Sequence, residues 1–100
     1  MSDYRVMLTQ RAVKDMDEIY RYILEEFRKP ETAERVVCIL EEAVYSLCGM
    51  PYRGAERKQG IYADKGYRQL FVKNFTIVYR IKEQEQSVII MTVRYTPSNF

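Results

Sequence analysis

The chain has 100 residues, with 16 Lys and Arg against 14 Asp and Glu, two Cys, nine Tyr, and no His or Trp. A chain of this size buries about two-thirds of its unfolded surface, enough for one core and one domain over 1–100. The absence of histidine excludes Ser-His-Asp and Cys-His chemistry and imidazole-ligated metals, and two Cys cannot close a four-thiolate cage, so no metal and no cofactor is expected.

The net charge of +2 hides a split. Residues 1–50 carry seven basic and ten acidic side chains, and residues 51–100 carry nine basic and four acidic. Within 51–82 the bias tightens to eight basic against Glu56 and Asp64. An acidic half joined to a basic half suggests an anionic or acidic partner for one face; a merely solvated sheet face is the plainer alternative. No apolar run approaches the ~20 residues that span a bilayer, and the N-terminus lacks the apolar core of a signal peptide. A cytoplasmic protein without a membrane partner is expected. Cys38 and Cys48 fall on one predicted helix, and at about 1.5 Å rise per residue they stand roughly 15 Å apart, too far for a disulfide. Buried or half-buried thiols suit a reducing compartment.

Tyr4 to Leu8 reads as a short strand. Thr9 follows as a helix N-cap, because its hydroxyl can accept from an orphan backbone N–H. From Gln10 to Phe27, apolar Ala12, Val13, Met16, Ile19, Tyr20, Ile23, Leu24 and Phe27 recur at helical spacing, with charges filling the other face. Pro30 suits the first turn of a second helix, where Glu31 and Glu34 favour the positive end. Ala33, Val36, Val37, Leu40, Ala43, Val44 and Leu47 continue a buried stripe, and Gly49 and Pro51 end it. The short connection predicts an antiparallel helical hairpin. Residues 51–66 hold three of the four glycines and read as an irregular basic loop. Three strand-like runs follow: Tyr67 to Lys73, Phe75 to Lys82 and Ser87 to Tyr95. The turn at Lys73-Asn74 relies on Asn for positive φ, and Glu83 to Gln86 form a polar hairpin loop. The last run is nearly all apolar and reads as a central strand.

The order β-α-α-β-β-β implies an α+β fold, a helical hairpin packed on one face of a mainly antiparallel sheet. By strand parity Arg80 and Lys82 share the open face, and Tyr79 faces the helices. The basic half offers Arg53, Arg57, Lys58, Arg68, Lys73, Arg80, Lys82 and Arg94, interleaved with Tyr52, Tyr62, Tyr67, Tyr79 and Tyr95. Arginine binds phosphate bidentately and tyrosine stacks on bases, so this set can bind a polyanion. It could also cleave RNA if Arg or Lys stabilises a phosphorane and a perturbed Lys or Tyr moves the proton.

The segments YRVMLTQRAVKDMDEIYRYI, SLCGMPYRGA and GYRQLFVKNFTIVYRI, in this order and spacing, resemble the RelE/ParE superfamily of bacterial type II toxins over essentially the whole chain. The resemblance implies a growth-inhibiting toxin, sometimes one that stabilises a plasmid, neutralised by a cognate antitoxin. The implied targets are DNA gyrase for ParE-like members and ribosome-bound mRNA for RelE-like members. The RelE-like nuclease set would draw on Arg68, Arg80, Arg94 and Tyr95. The position where such nucleases carry an arginine entering the second hairpin strand is Thr76, and no basic residue follows Thr96. The near-equal helices and the YRG loop look more like ParE, although ParE-like chains often end in a basic segment and this one ends Thr-Pro-Ser-Asn-Phe. The expected reading is a gyrase-binding toxin with Arg53, Arg57, Lys58, Arg68, Arg80 and Lys82 as its contact set. An mRNA endonuclease, or a non-toxic remnant that only binds its antitoxin, is the alternative.

Overall fold

The computed structural model describes residues 3–58, 63 and 65–96. The elements are β1 (Arg5–Leu8), α1 (Gln10–Phe27), α2 (Pro30–Ser46), β2 (Ala55–Glu56), β3 (Tyr67–Val72), β4 (Phe75–Lys82) and β5 (Ser87–Tyr95), with a turn of 3-10 helix at Glu83–Glu85. The strands form one sheet in the order β1-β5-β4-β3-β2. β1 runs parallel to β5, and every other neighbouring pair is antiparallel. The helical hairpin covers one face, so the α+β architecture agrees with the expected one.

Thr9 caps α1 as expected, accepting from the Ala12 N–H at 3.1 Å. Its hydroxyl faces the Ile90 and Met91 carbonyls, both at 3.0 Å, so the cap also ties the helix start to β5. α1 ends at Arg28, whose φ of 53° lets its N–H reach the Leu24 carbonyl. Pro30 opens α2 with Glu31 beside it, where a missing N–H costs nothing and a carboxylate favours the helix dipole. Ala12, Met16, Leu40, Ala43, Val44 and Leu47 from the helical half meet Leu70, Phe75, Ile77, Tyr79, Val88, Ile90 and Val93 from the sheet. Each large apolar side chain buried there contributes about 1.5–3 kcal/mol.

Parity along the strands decides which residues join that core. On β4, Phe75, Ile77 and Tyr79 are core members and Ile81 packs against them, so Thr76, Val78, Arg80 and Lys82 point to the opposite face. On β3, Leu70 and Val72 lie on the helix side with Arg68, whereas Tyr67, Gln69 and Phe71 lie on the open side. β5 breaks its own alternation. Tyr79 pairs with Ile90 and Val78 with Thr92, which leaves Met91 as the extra residue of a bulge. Asp15 of α1 fits this bulge. One of its carboxylate oxygens accepts from the Val93 N–H at 3.1 Å and from the Thr92 hydroxyl at 2.5 Å. Arg11 pairs with the other oxygen at 3.2 Å. Asp15 is therefore buried, although the helical pattern alone assigns it to the polar face.

Four details differ from the sequence reading. Within 51–66, Ala55–Glu56 form an edge strand on β3, because their backbone pairs with Gln69 and Arg68. α2 stops at Ser46, so Cys48 lies in the following turn, not on the helix with Cys38. Cys48 is half-buried, but Cys38 is exposed beside Glu42. The Glu42 charge raises the Cys38 pKa most, and burial does so for Cys48, so both stay thiols. At the β3–β4 turn, Lys73 rather than Asn74 takes the positive φ, at 56°.

Candidate target-binding surfaces

The open face of the sheet is basic. Arg5 on β1, Arg80 and Lys82 on β4, and Arg94 on β5 project from it, and Arg57 follows β2 with the same parity as Ala55. Among the described residues, no strand position on this face carries Asp or Glu. Met7 and Phe71 add exposed apolar surface there. Arg80 is exposed and stands 6.0 Å from the centre of the Tyr67 ring, within cation–π reach. Lys82 is half-buried and meets Glu85 of the following turn at 3.9 Å.

Arg57 is placed differently from the expected contact residue. It is 2% exposed, and its Nη1 donates to Gln69 Oε1 at 2.7 Å. Burial, and then the charge of Arg94, lower its pKa. Its guanidinium is an interior part of the open face, whereas Arg80 on the same face is exposed.

A second surface lies on the other side of the sheet, where α2 leads into β2. Arg68 has the parity of Leu70, and its side chain turns toward this loop. Its Nη2 donates to the Gly54 carbonyl at 2.5 Å and lies 3.4 Å from the Tyr52 carbonyl. The guanidinium stands 5.0 Å from the centre of the Tyr52 ring. The Tyr52 hydroxyl donates to Glu83, which also accepts from Tyr4 at 2.8 Å. Those hydrogen bonds lower the Glu83 pKa, Tyr52 before Tyr4, and raise both tyrosine pKa values. Arg53 is exposed and donates to Ser46 Oγ at 2.7 Å, and Lys58 is exposed beyond β2.

The sheet therefore divides the expected residues. Arg57, Arg80 and Lys82 belong to the open face, and Arg53 and Arg68 to the loop side. The nuclease set is divided too. Arg80 and Arg94 share the open face, whereas Arg68 and Tyr95 lie on the helix side, Tyr95 packing edge-on against Phe75 at 5.5 Å. Thr76 is fully buried and hydrogen-bonded to Thr96. Tyr62 lies outside the described residues. Sequence reasoning passed over Tyr4, Glu83 and the hydroxyl of Tyr79. Parity places Tyr79 inside, and a buried tyrosine hydroxyl demands a partner, so that signal was available.

The family model of the ParE toxin of the type II toxin–antitoxin system parDE matches residues 6–100. The chain belongs to the ParE toxin family. The match runs from β1 through β5, and the solved structures agree on the fold. A chain of the chromosomal ParDE toxin–antitoxin system from P. aeruginosa superposes with a TM-score of 0.77 at 24% identity, covering 93% of this chain and 96% of that one. A chain of the RelBE2 toxin–antitoxin complex from Mycobacterium tuberculosis gives 0.67 at 21% identity, covering 98% and 97%. The isolated E. coli RelE toxin gives 0.62 at 13% identity, covering 96% and 87%. No curated protein matches the chain. The ParE-like half of the expected resemblance is thus the one the family match selects. Among the described residues, no helix is long and apolar enough to cross a membrane.

Proposed function

We propose that this ParE-family toxin arrests growth by binding DNA gyrase, not by cutting mRNA. The separation of Arg68 and Tyr95 from Arg80 and Arg94 by the sheet carries this reading. Phosphodiester cleavage needs charge stabilisation and proton transfer to converge within hydrogen-bond reach of one phosphate. Binding has no such requirement. A face with several cations and no strand carboxylate can steer and hold an acidic surface as a whole.

The neutralising partner is a cognate antitoxin. A segment of acidic and apolar residues, ordered as it binds, would match the cations, Met7 and Phe71 of the open face. Purified toxin should inhibit gyrase supercoiling in a dose-dependent way and leave ribosome-bound mRNA intact. Normal supercoiling at saturating toxin would contradict the reading. Site-specific mRNA cleavage would establish the nuclease in its place.

A further inference from the structure

The loop between α2 and β2 is tied down from behind. The Gly54 N–H donates to the Tyr79 hydroxyl at 2.9 Å, and that hydroxyl donates onward to the Pro51 carbonyl at 2.8 Å. Tyr79 is fully buried, so its two hydrogen bonds are made without competition from water. Arg68 holds the Gly54 carbonyl from the other side. A Cβ at Gly54 would stand 2.3 Å from the Gln69 carbonyl oxygen and 2.7 Å from the Tyr79 hydroxyl. Only glycine lets the loop lie this close to β3 and β4.

What these ties leave outside is a small, distinctive surface. Met50 is 58% exposed, Tyr52 is 55% exposed, and Arg53 is exposed beside them. Methionine, tyrosine and arginine are the types enriched where proteins meet, and a backbone already fixed loses little entropy on docking. Among the described residues, no carboxylate lies within ion-pair distance of Arg53 or Arg68. Glu83 at the edge of the loop is taken up by the Tyr52 and Tyr4 hydroxyls, and Arg53 is left as an exposed cation without an ion-pair partner next to apolar surface, which complements an acidic protein surface.

We propose that Met50, Tyr52 and Arg53 form a preorganised knuckle that docks on an acidic patch of the toxin's protein target, with Tyr79 and Arg68 as its positioning residues. The proposal rests on the reading that the toxin acts by binding. It reassigns Arg68 from contact to support, because the guanidinium spends its hydrogen bonds on the loop backbone.

Arg53→Ala should inhibit supercoiling at least about ten-fold less potently than wild type, as truncation of an interface anchor does. Its melting temperature and its affinity for the antitoxin should stay at wild-type values. Tyr79→Phe removes only the hydroxyl. It should speed hydrogen exchange at the Gly54 amide about five-fold or more, the loss of one net hydrogen bond, and weaken inhibition in the same direction. Arg68→Gln should reproduce the loss of inhibition if the Tyr79 variant proves unstable. Unchanged inhibition by Arg53→Ala overturns the knuckle, as does lost antitoxin binding with inhibition intact. Unchanged Gly54 exchange in Tyr79→Phe overturns the positioning role. If wild-type toxin leaves gyrase unaffected, the gyrase reading fails by itself. The same variants are then compared in growth arrest on induction, where arrest by Arg53→Ala equal to wild type overturns the knuckle. A wild-type chain that arrests nothing overturns both.

Discussion

Tyr79 and Arg80 are adjacent in sequence and occupy opposite worlds. Tyr79 faces the helices, fully buried, with its hydroxyl satisfied on both sides by the α2–β2 loop. Arg80 faces outward from the other side of the sheet, exposed and stacked near Tyr67. The same division runs through the sheet. Its helix side is an interior whose polar groups are spent on structure, as Asp15 is on Thr92 and Val93. Its open side carries Arg5, Arg80, Lys82 and Arg94 without a carboxylate at any described strand position. The difference teaches that one strand can fix the fold with alternate residues and present charge with the rest.

The strongest way to break that division is to remove a polar group from the interior side. Asp15→Ala leaves the Thr92 hydroxyl and the Val93 N–H without their acceptor in a buried site. It should cost about 3 kcal/mol, the range for a broken buried hydrogen-bond network, read as a lower denaturation midpoint. A loss under about 0.5 kcal/mol, the level of an ordinary surface change, would mean that the bulge does not need its carboxylate. A smaller effect is expected at the helix start. Thr9→Ala removes the cap of α1 and its tie to β5, and should cost about 1 kcal/mol. Thr9→Ser, which keeps the hydroxyl, should restore most of it in the same unfolding measurement.

The smallest expected effect lies at the edge between the two sides, where Glu83 accepts from Tyr4 and Tyr52. Its pKa is lowered by those bonds, so its contribution to stability is present above the unfolded carboxylate pKa and is lost as pH falls through the folded value. The tyrosine pKa values are raised, so their contribution holds below about pH 10, the unfolded phenol pKa, and is lost as pH rises through the folded values. Glu83→Gln should flatten both limbs of a melting-temperature profile across pH. An unchanged profile would show that this exposed cluster does not couple to folding.

Much of the fold was legible because local chemistry and tertiary packing agree. Thr9, Pro30 and the apolar spacing place α1 and α2, and alternation places β4 with Tyr79 inside and Arg80 outside. The residues that escaped are those whose role is set by distant backbone. Asp15 reads as a helix-surface acid until the β5 bulge brings an N–H and a hydroxyl to it. Ala55–Glu56 read as loop because an edge strand of two residues leaves no periodicity to detect. The site was legible as composition, an excess of basic over acidic side chains after residue 50 with Tyr interleaved, but not as geometry. Parity alone would have put Arg68 and Arg80 on opposite faces; treating them as one contact set ignored the helix-side position of Leu70 beside Arg68.

The central claim is that the cations of the open face hold the target without cleaving anything. Its most direct measurement is the supercoiling assay with wild-type toxin and with the double variant Arg80→Glu/Lys82→Glu, at low and physiological salt. Both side chains lie outside the core, and Lys82→Glu gives up only the surface contact with Glu85, so the variant should stay folded with a loss of about 1 kcal/mol or less. It should lose inhibition by at least about ten-fold, and wild-type inhibition should itself weaken as salt screens the contact. A double variant as potent as wild type, at both salt concentrations, would contradict the account.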